Sequence, residues 1–190
     1  MSILKVARMG HPVLRARGRS VEPAELKHPL LQKLIDDMIE TMHEYNGVGL
    51  AGPQVHENLR IFVAMLDEEP GPKSEAVAVI NPQIVPVSEN KAEGWEGCLS
   101  IPDIRGMVPR YTDITVRALD RKGRAVEIPL KNFAARVAMS WATDSTVRPS
   151  TSTSPIKGSV TKPSGRTVTR WLRASFFQAR TWSTSPGPTA

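Results

Sequence analysis

The sequence predicts an α+β domain in which one amphipathic helix lies among several short strands. Residues 26–46 place apolar side chains at i, i+3, i+4 and i+7, which is the spacing of one helical face. Shorter segments further along form brief apolar runs or alternate apolar with polar residues, as strands do. A chain of 190 residues suits one domain with one core. Together these observations favour an α+β fold.

The predicted helix has signals at both ends. Pro29 suits the first helical turn, where its missing N–H removes no hydrogen bond. Asn46-Gly47 is a stop signal. The residues of the apolar stripe are Leu30, Leu31, Leu34, Ile35, Met38, Ile39 and Met42. We therefore expect a helix with one apolar face.

Three strands are predicted directly after this helix. Residues 59–66 form a continuous apolar run, which is consistent with a buried strand. Residues 76–80 and 84–87 are two shorter strand candidates. Asn81-Pro82 separates them, and Pro86 interrupts the second.

A hairpin is predicted further along the chain. Ile114, Val116 and Ala118 alternate with Thr115 and Arg117, as in a half-buried strand. Residues 120–123, Asp-Arg-Lys-Gly, read as a tight turn. They lead into another predicted strand at 125–130.

Composition and charge change after Val137. Of the last 53 residues, 20 are Ser or Thr and five are Pro. Seven of the 25 basic and one of the 19 acidic residues lie there, so residues 1–137 hold 18 of each and are neutral. Such a segment buries too little apolar surface to offset its ordering entropy. We predict a folded domain at 1–137 and a disordered basic tail at 138–190. The alternatives for this tail are a short helix at 171–179, or nucleic-acid binding through Arg166, Arg170, Trp171 and Arg173.

Composition also limits the class of protein. A single cysteine excludes an internal disulfide. No run approaches the ~18 apolar residues of a membrane span, and the N-terminal residues lack the apolar stretch of a signal peptide. We expect a cytoplasmic protein that does not enter a membrane.

Two glycine-rich motifs carry the candidate functional residues. The first is Gly47-Val48-Gly49-Leu50-Ala51-Gly52-Pro53-Gln54, and the second is Glu96-Gly97-Cys98-Leu99-Ser100. By itself, Cys98 fits a buried apolar residue, a nucleophile that needs a base nearby, or a metal ligand that needs two or three others. The first motif fits a turn after the helix. It also fits a site in which the Gln54 amide donates a hydrogen bond to a developing oxyanion.

In this order and at this spacing, the two motifs resemble two of the three motifs of the peptide deformylases. These are metal-dependent hydrolases that remove the formyl group from the N-terminal methionine of new proteins. The resemblance covers about residues 3–137. It implies an α+β fold of short antiparallel strands around a central helix, with the usual C-terminal motif helix lost or altered. Further similarities lie at Ile3-Leu4, 12–15, Asn81-Pro82, Arg105, 108–110 and 133–137.

The resemblance implies a role for each matched residue. Cys98 would be one of three protein ligands of a divalent metal, usually Fe²⁺, whose bound water attacks the formyl carbon. The Gln54 amide and the Leu99 backbone N–H would hold the oxyanion. Gly49 would hold the formyl end of the substrate through its backbone, and Val48 would line the methionine pocket. A further substrate contact is implied for Arg105.

The third motif of the family, His-Glu-x-x-His, is absent. It would supply the other two metal ligands and the general base. The four histidines are His11, His28, His43 and His56, and none lies beyond Cys98. A smaller departure is Gly52, which stands where the family mostly has alanine. We expect this glycine to loosen the loop and to remove no reacting group.

A shifted reading frame would explain the missing motif. If the codon of Ala138 ends in C and Ser140 uses AGT or AGC, reading from that C spells His and Glu. The next triplet is TTG or CTG, which encodes Leu, and Gly follows. If the Ala142 codon also ends in C, the fifth triplet encodes His. This sequence falls where the third motif belongs, directly after 133–137. We hypothesise a frameshift in the gene or its sequence.

The sequence therefore predicts an enzyme family and the loss of part of its catalytic machinery. We expect a peptide deformylase-like metallohydrolase that removes the formyl group from formyl-methionyl nascent peptides, with the ribosome as the place where it meets them. We expect its activity to be lost or severely impaired and its metal binding to be weak or absent. The alternatives are a relative that binds formyl-Met peptides without cleaving them and, less favoured, a nucleic-acid-binding protein that uses the basic tail.

Overall fold

The computed structural model describes residues 2–71, 74–141, 156–161 and 167–172, the last two ranges as backbone. Two α-helices lie in this part of the chain, α1 at Pro29–Glu44 and α2 at Asn132–Trp141. Short 3₁₀ turns lie at Pro12–Leu14 and Gly52–Val55. The strands are β1 Gly49–Ala51, β2 Ile61–Met65, β3 Ala76–Pro86, β4 Lys91–Cys98, β5 Ile101–Tyr111, β6 Asp113–Leu119, β7 Ala125–Lys131, β8 Ile156–Thr161 and β9 Thr167–Leu172. No helix among the described residues is long and apolar enough to span a membrane.

The strands form two antiparallel sheets. The first has the order β1-β2-β3-β6-β7, and the second has the order β4-β5-β8-β9. All neighbours within each sheet run antiparallel. This mixture of helices and short antiparallel strands is the α+β architecture that the sequence predicts.

The first sheet is covered on both faces. Alternate residues of β2 point in opposite directions: Ile61 and Val63 pack with the buried residues of α1, whereas Phe62 and Ala64 pack with those of α2. Because both faces are apolar, β2 reads in the sequence as a continuous apolar run. The predicted buried strand at 59–66 is therefore confirmed, with bounds of Ile61–Met65.

Helix α1 begins and ends close to the predicted residues. His28 is its N-cap, and the His28 ring nitrogen accepts a hydrogen bond from the Leu30 N–H at 3.2 Å. Pro29 occupies the first turn. After Glu44, Asn46 has a φ of 50°, a left-handed conformation that turns the chain toward β1. The apolar stripe buries Leu31, Ile35, Met38 and Met42.

The strands differ from the prediction in two places. Residues 76–80 and 84–87 belong to one strand, β3, which continues through a bulge between Ile80 and Gln83. Asn81 has a φ of 52° there, so the Asn-Pro step bends the strand without ending it. The long hairpin of β4 and β5 was not predicted. Its residues interleave Gly and charged side chains, so it lacks an apolar alternation.

The chain after residue 137 also differs from the sequence prediction. Helix α2 continues through Trp141, and the side chains of Ala138 and Trp141 are buried. The motif helix is therefore present up to Trp141, although its sequence is altered. Backbone strands β8 and β9 form a hairpin in the predicted tail, and β8 pairs with Arg105 and Gly106 of β5. β-Branched residues are frequent in both strands, which favours extended backbone. The predicted roles of Arg166 and Arg173 lie outside the described residues.

Candidate active site

The end of the β4–β5 hairpin presents the only cysteine of the chain. Cys98 is the last residue of β4, and the register of the hairpin shifts between Gly97 and Cys98. Leu99 and Ser100 form the turn into β5. Cys98 is partly buried and packs against the apolar cluster that α2 covers. The turn therefore holds the sulfur at the boundary between the core and the surface.

Gln54 meets this turn from the other motif. Its side chain is fully buried in the 3₁₀ turn that follows β1. The Gln54 Oε1 accepts a hydrogen bond from the Ala51 N–H at 2.9 Å, which fixes the orientation of the amide. The Nε2 then points to the second motif and lies 3.5 Å from the Cys98 Sγ and 3.3 Å from the Ser100 Oγ. The two motifs are thus in contact through the Gln54 amide of the first and the Cys98 sulfur of the second.

The environment of Cys98 favours its protonated form. Burial raises the pKa of the thiol above its ordinary value, and the charge of Glu96 acts in the same direction. Hydrogen bonds from the Ser100 N–H and hydroxyl and from the Ile101 N–H oppose the effect of burial without overcoming it. By itself, this sulfur is therefore a thiol at neutral pH.

The N-terminal segment ties the two motifs together. The Ala7 N–H donates to the Gln54 carbonyl oxygen at 2.7 Å, and the Met9 N–H donates to the Ser100 carbonyl oxygen at 2.8 Å. These two bonds attach the N-terminal segment to both motifs. They use only the backbone of Gln54 and Ser100, so the side chains of these residues remain directed at each other. These hydrogen bonds cannot be predicted from the residue types, because any residue except proline can donate from its backbone N–H.

A buried ion-pair network lies behind the turn. The Arg110 Nε and Nη2 each lie 2.9 Å from a different oxygen of Glu96, and the Arg136 Nη1 lies 2.8 Å from Glu96 Oε1. The Ser140 hydroxyl lies 3.1 Å from Glu96 Oε2 and 2.9 Å from the Arg136 carbonyl oxygen, and its single proton is shared between these two acceptors. Arg136 also donates to the carbonyl oxygens of Ala92, Gly94 and Val108. The second motif is therefore attached to α2 through the Glu96 carboxylate.

Trp141 of α2 packs against the first motif. It is the last residue of this helix, and it is 7% exposed. Its indole lies directly against Gly49 of β1: a Cβ at position 49 would lie 2.6 Å from Cδ1 and closer still to Nε1. The close approach is possible because residue 49 is a glycine.

The structure places the remaining predicted residues in different surroundings. Val48 packs against the cluster that contains Trp141, and its carbonyl oxygen accepts a bond from the Met65 N–H at 3.0 Å. Leu99 contributes to the other cluster, on the α1 side. Arg105 is exposed on β5 beside Gly97. The fold thus brings Gln54 and Cys98 together, whereas Arg105 lies on the surface of the hairpin.

Gly52 has a role that the sequence did not reveal. A Cβ at this position would lie 2.9 Å from the carbonyl oxygens of both Glu57 and Leu59. The glycine therefore permits a tight approach between the 3₁₀ turn and the segment before β2. The expectation that Gly52 loosens the loop is wrong, because both neighbours are backbone atoms that pack closely on it.

The residues present do not fit a metal site with three protein ligands. Within the part of the chain that the structure describes, no three His, Cys, Asp or Glu side chains are grouped to hold an ion. His28 caps α1, and His11 and His56 contact each other with ring centroids 4.6 Å apart. His43 lies exposed in the last turn of α1. Cys98 thus stands as a candidate ligand without the donor set that a catalytic metal requires.

Comparison with known proteins defines the class of this fold. The family profile of polypeptide deformylase matches residues 3–141. Peptide deformylase 2 of Nostoc sp. is 42% identical over 139 residues, which are 71% of this chain and 76% of the relative. Peptide deformylase 1 of Nitrosomonas europaea is 39% identical over 139 residues, 71% of this chain and 78% of the relative.

Solved structures give the same result. A class I type b peptide deformylase from Acinetobacter baumannii superposes with a TM-score of 0.70 at 36% identity, covering 75% of this chain and 93% of that one. The peptide deformylase of Thermotoga maritima gives 0.66 at 39% identity, covering 73% and 88%. The matches define a metal-dependent hydrolase fold. The chain belongs to the peptide deformylase family.

Several residues around the site were missed by reasoning from the sequence. In the sequence, Glu96 stands out only as part of the second motif, and Trp141 falls within the predicted tail at 138–190. A signal for the ion-pair network is present in the sequence, because Arg136 stands among Ala134, Ala135 and Val137 on a mostly apolar helix. A charged side chain in such a place needs a buried partner. No comparable signal marked the contact of Trp141 with Gly49.

Proposed function

We propose that this chain is a peptide deformylase whose activity on formyl-methionyl nascent peptides is lost or severely impaired. The supporting observation is the distance of 3.5 Å between Gln54 Nε2 and Cys98 Sγ, at a site without further ligands among the described residues. The Gln54 amide, which we propose as an oxyanion donor, lies beside the sulfur. The two histidines and the glutamate of the third motif are missing from the sequence.

The roles of the site residues belong to the same proposal. Gln54 and the Leu99 N–H are the oxyanion donors. The Gln54 amide lies 3.5 Å from the Cys98 sulfur, and Leu99 is the next residue in the turn after Cys98. Val48 and Gly49 hold the methionine side chain and the formyl end of the peptide. Arg105 reaches a more distant part of the substrate from the exposed face of β5. Cys98 binds a divalent ion such as Fe²⁺ weakly.

The domain boundary and the cellular setting are part of this proposal too. Residues 1–137 carry the family fold, with α2 extending it to Trp141, and residues 138–190 are a divergent segment. The protein is cytoplasmic and meets its substrate at the ribosome. A frameshift accounts for the change in composition after Val137.

Deformylation of formyl-Met-Ala-Ser by the purified, Ni²⁺-incubated chain tests the loss of activity. The Nostoc relative is assayed in parallel under identical conditions. Because removing a general base alone typically slows a reaction about 10²–10⁴-fold, we expect a rate at least ~10²-fold below that of the relative. The Cys98→Ser variant should lower the residual rate no further. A rate within tenfold of the relative, abolished by Cys98→Ser, would refute the proposal.

A second candidate function is binding of formyl-Met peptides without cleavage. The retained orientation of the Gln54 amide favours it, since this donor is directed at the site and needs no metal to be held there. Calorimetric titration with formyl-Met-Ala-Ser measures this binding. Affinity without turnover would favour the second candidate over the first.

A further inference from the structure

We propose that the Trp141 indole occupies the space in which the N-terminal residue of a peptide would lie, and that this side chain limits the affinity of the chain for peptides. The inference rests on the proposed location of the peptide site at Val48 and Gly49. It adds a cause of impairment that is separate from the missing ligands and the missing base.

The first support is the contact between Trp141 and Gly49. The indole ring stands so close to the Gly49 backbone that even a methyl group at position 49 would overlap it. Both residues are buried, so water does not separate them. A peptide group that approached Gly49 from this face of β1 would have to displace the ring.

The second support is the direction in which β1 faces. Side chains alternate along a strand, so Gly49 and Ala51 face the same side. Ala51 lies in the cluster that contains Trp141, and Val48 and Cys98 pack against that cluster. The indole therefore belongs to the same side of the sheet as the residues proposed to hold the methionine end and the metal.

The third support is the attachment of α2. The Arg136 Nη1 lies 2.8 Å from Glu96 Oε1 and 2.7 Å from the Val108 carbonyl oxygen, so this helix is bound to the hairpin one and a half turns before Trp141. The indole cannot leave Gly49 by movement of the whole helix unless these bonds break. Rotation of the side chain is the other route, and it would expose a large apolar ring.

Titration of formyl-Met-Ala-Ser into the full chain and its variants tests the inference. Trp141→Ala removes the ring, and Trp141→Leu removes most of its bulk while keeping an apolar side chain. Trp95→Ala is the matched control, because Trp95 is exposed on β4. Far-ultraviolet circular dichroism and a cooperative thermal transition establish that each variant is folded before it is titrated.

We expect Trp141→Ala, or Trp141→Leu if the alanine variant does not fold, to bind the peptide at least tenfold more tightly than the original chain. Trp95→Ala should match the original chain. If the original chain and the Trp141 variants bind equally well, the peptide site stands and the inference about the indole is wrong. If none of them binds, the proposed peptide site is wrong, and the inference fails with it.

A double-mutant cycle tests the contact between Trp141 and Gly49 without measuring peptide binding. Gly49→Ala should lower the melting temperature of the original chain, because its Cβ overlaps the indole. The same change should cost much less in the Trp141→Leu background. Equal losses in both backgrounds would mean that the ring does not rest on Gly49, and would overturn the inference independently of any peptide.

Discussion

The Arg136 Nη1 lies 2.8 Å from Glu96 Oε1, and this contact joins helix α2 to strand β4 two residues before Cys98. Both side chains are largely buried, at 13% and 9% exposure. Arg110 also donates to both oxygens of this carboxylate, so each oxygen has an arginine donor. The position of the sulfur thus depends on a charged network as well as on apolar packing.

Replacement of Arg136 by methionine should destabilise the fold strongly. Arg136→Met keeps the apolar length of the side chain but leaves the buried Glu96 and Val108 oxygens without this donor. Glu96 keeps its two bonds from Arg110, so the loss is that of hydrogen bonds to a charged group, about 1.5–3 kcal/mol. The free energy of unfolding, measured by urea denaturation, should fall by that amount.

The exposed pair of Arg117 and Glu127 provides the control. Its side chains are 56% and 64% exposed, with an N–O distance of 2.8 Å. Arg117→Met should change the free energy of unfolding by about 0–1 kcal/mol. Equal effects of Arg117→Met and Arg136→Met would contradict the buried network.

Replacement of Gln54 by methionine should destabilise the site loop. Gln54→Met preserves much of the volume but leaves the Ala51 N–H without its acceptor at 2.9 Å. A buried donor left unsatisfied costs about 1–3 kcal/mol. Urea denaturation should show this loss. Gln83→Met, at an exposed position of β3, should stay within about ±0.5 kcal/mol of the original chain. A Gln54→Met variant as stable as Gln83→Met would contradict the observed orientation of the amide.

Two truncations should locate the end of the stable fold. A chain that ends at Trp141 keeps every buried residue of α2, whereas one that ends at Val137 loses Ala138 and Trp141. Loss of a buried tryptophan side chain alone costs about 3–5 kcal/mol. In urea denaturation, we expect cooperative unfolding for the longer chain and a weaker or absent transition for the shorter one. Equal stability of the two would place the boundary at Val137.

Removal of metal ions should leave thermal stability unchanged. An ion stabilises a fold only when its concentration is comparable to its dissociation constant or above it. With Cys98 as a single candidate ligand, the melting temperature in excess EDTA should equal that in micromolar Ni²⁺ to within about 1 °C. Cys98→Ser should behave in the same way. A rise of several degrees with Ni²⁺ that disappears in Cys98→Ser would reveal a real site.

The nucleotide sequence across codons 136–147 should show the third motif in a shifted frame. We expect AGT or AGC at Ser140 and C as the last base of the Ala138 codon. A TCN codon at Ser140 would exclude the glutamate and end the frameshift hypothesis. If the bases agree, the chain expressed from the shifted frame should hold about one metal ion per molecule, as metal analysis of the purified protein can measure.

Local signals were strong enough to predict α1, β2 and the β6–β7 hairpin. Pro29 marks the first turn of the helix, and the turn at 120–123 closes the hairpin: the Gly123 N–H donates to the Asp120 carbonyl oxygen at 2.9 Å. These elements are determined by neighbours in the sequence, so periodicity and turn chemistry reveal them.

The β4–β5 hairpin could not be predicted in this way. Its strands carry glycine at 94, 97 and 106 and charged residues between them, so neither face is continuously apolar. Pairing across the hairpin and the Glu96 ion pairs hold it in place. Such long-range contacts leave no period in the sequence.

The sequence by itself determined the family, the two motifs with Gln54 and Cys98, and the absence of the His-Glu-x-x-His motif, because these depend on which residues are present and in what order. Tertiary structure alone decided that the Gln54 amide points at the sulfur, that Glu96 holds two arginines, and that Trp141 lies on Gly49. The physical reason is that each of these contacts joins residues at least 14 positions apart, and only the packing of the helices and sheets brings them within a few ångströms.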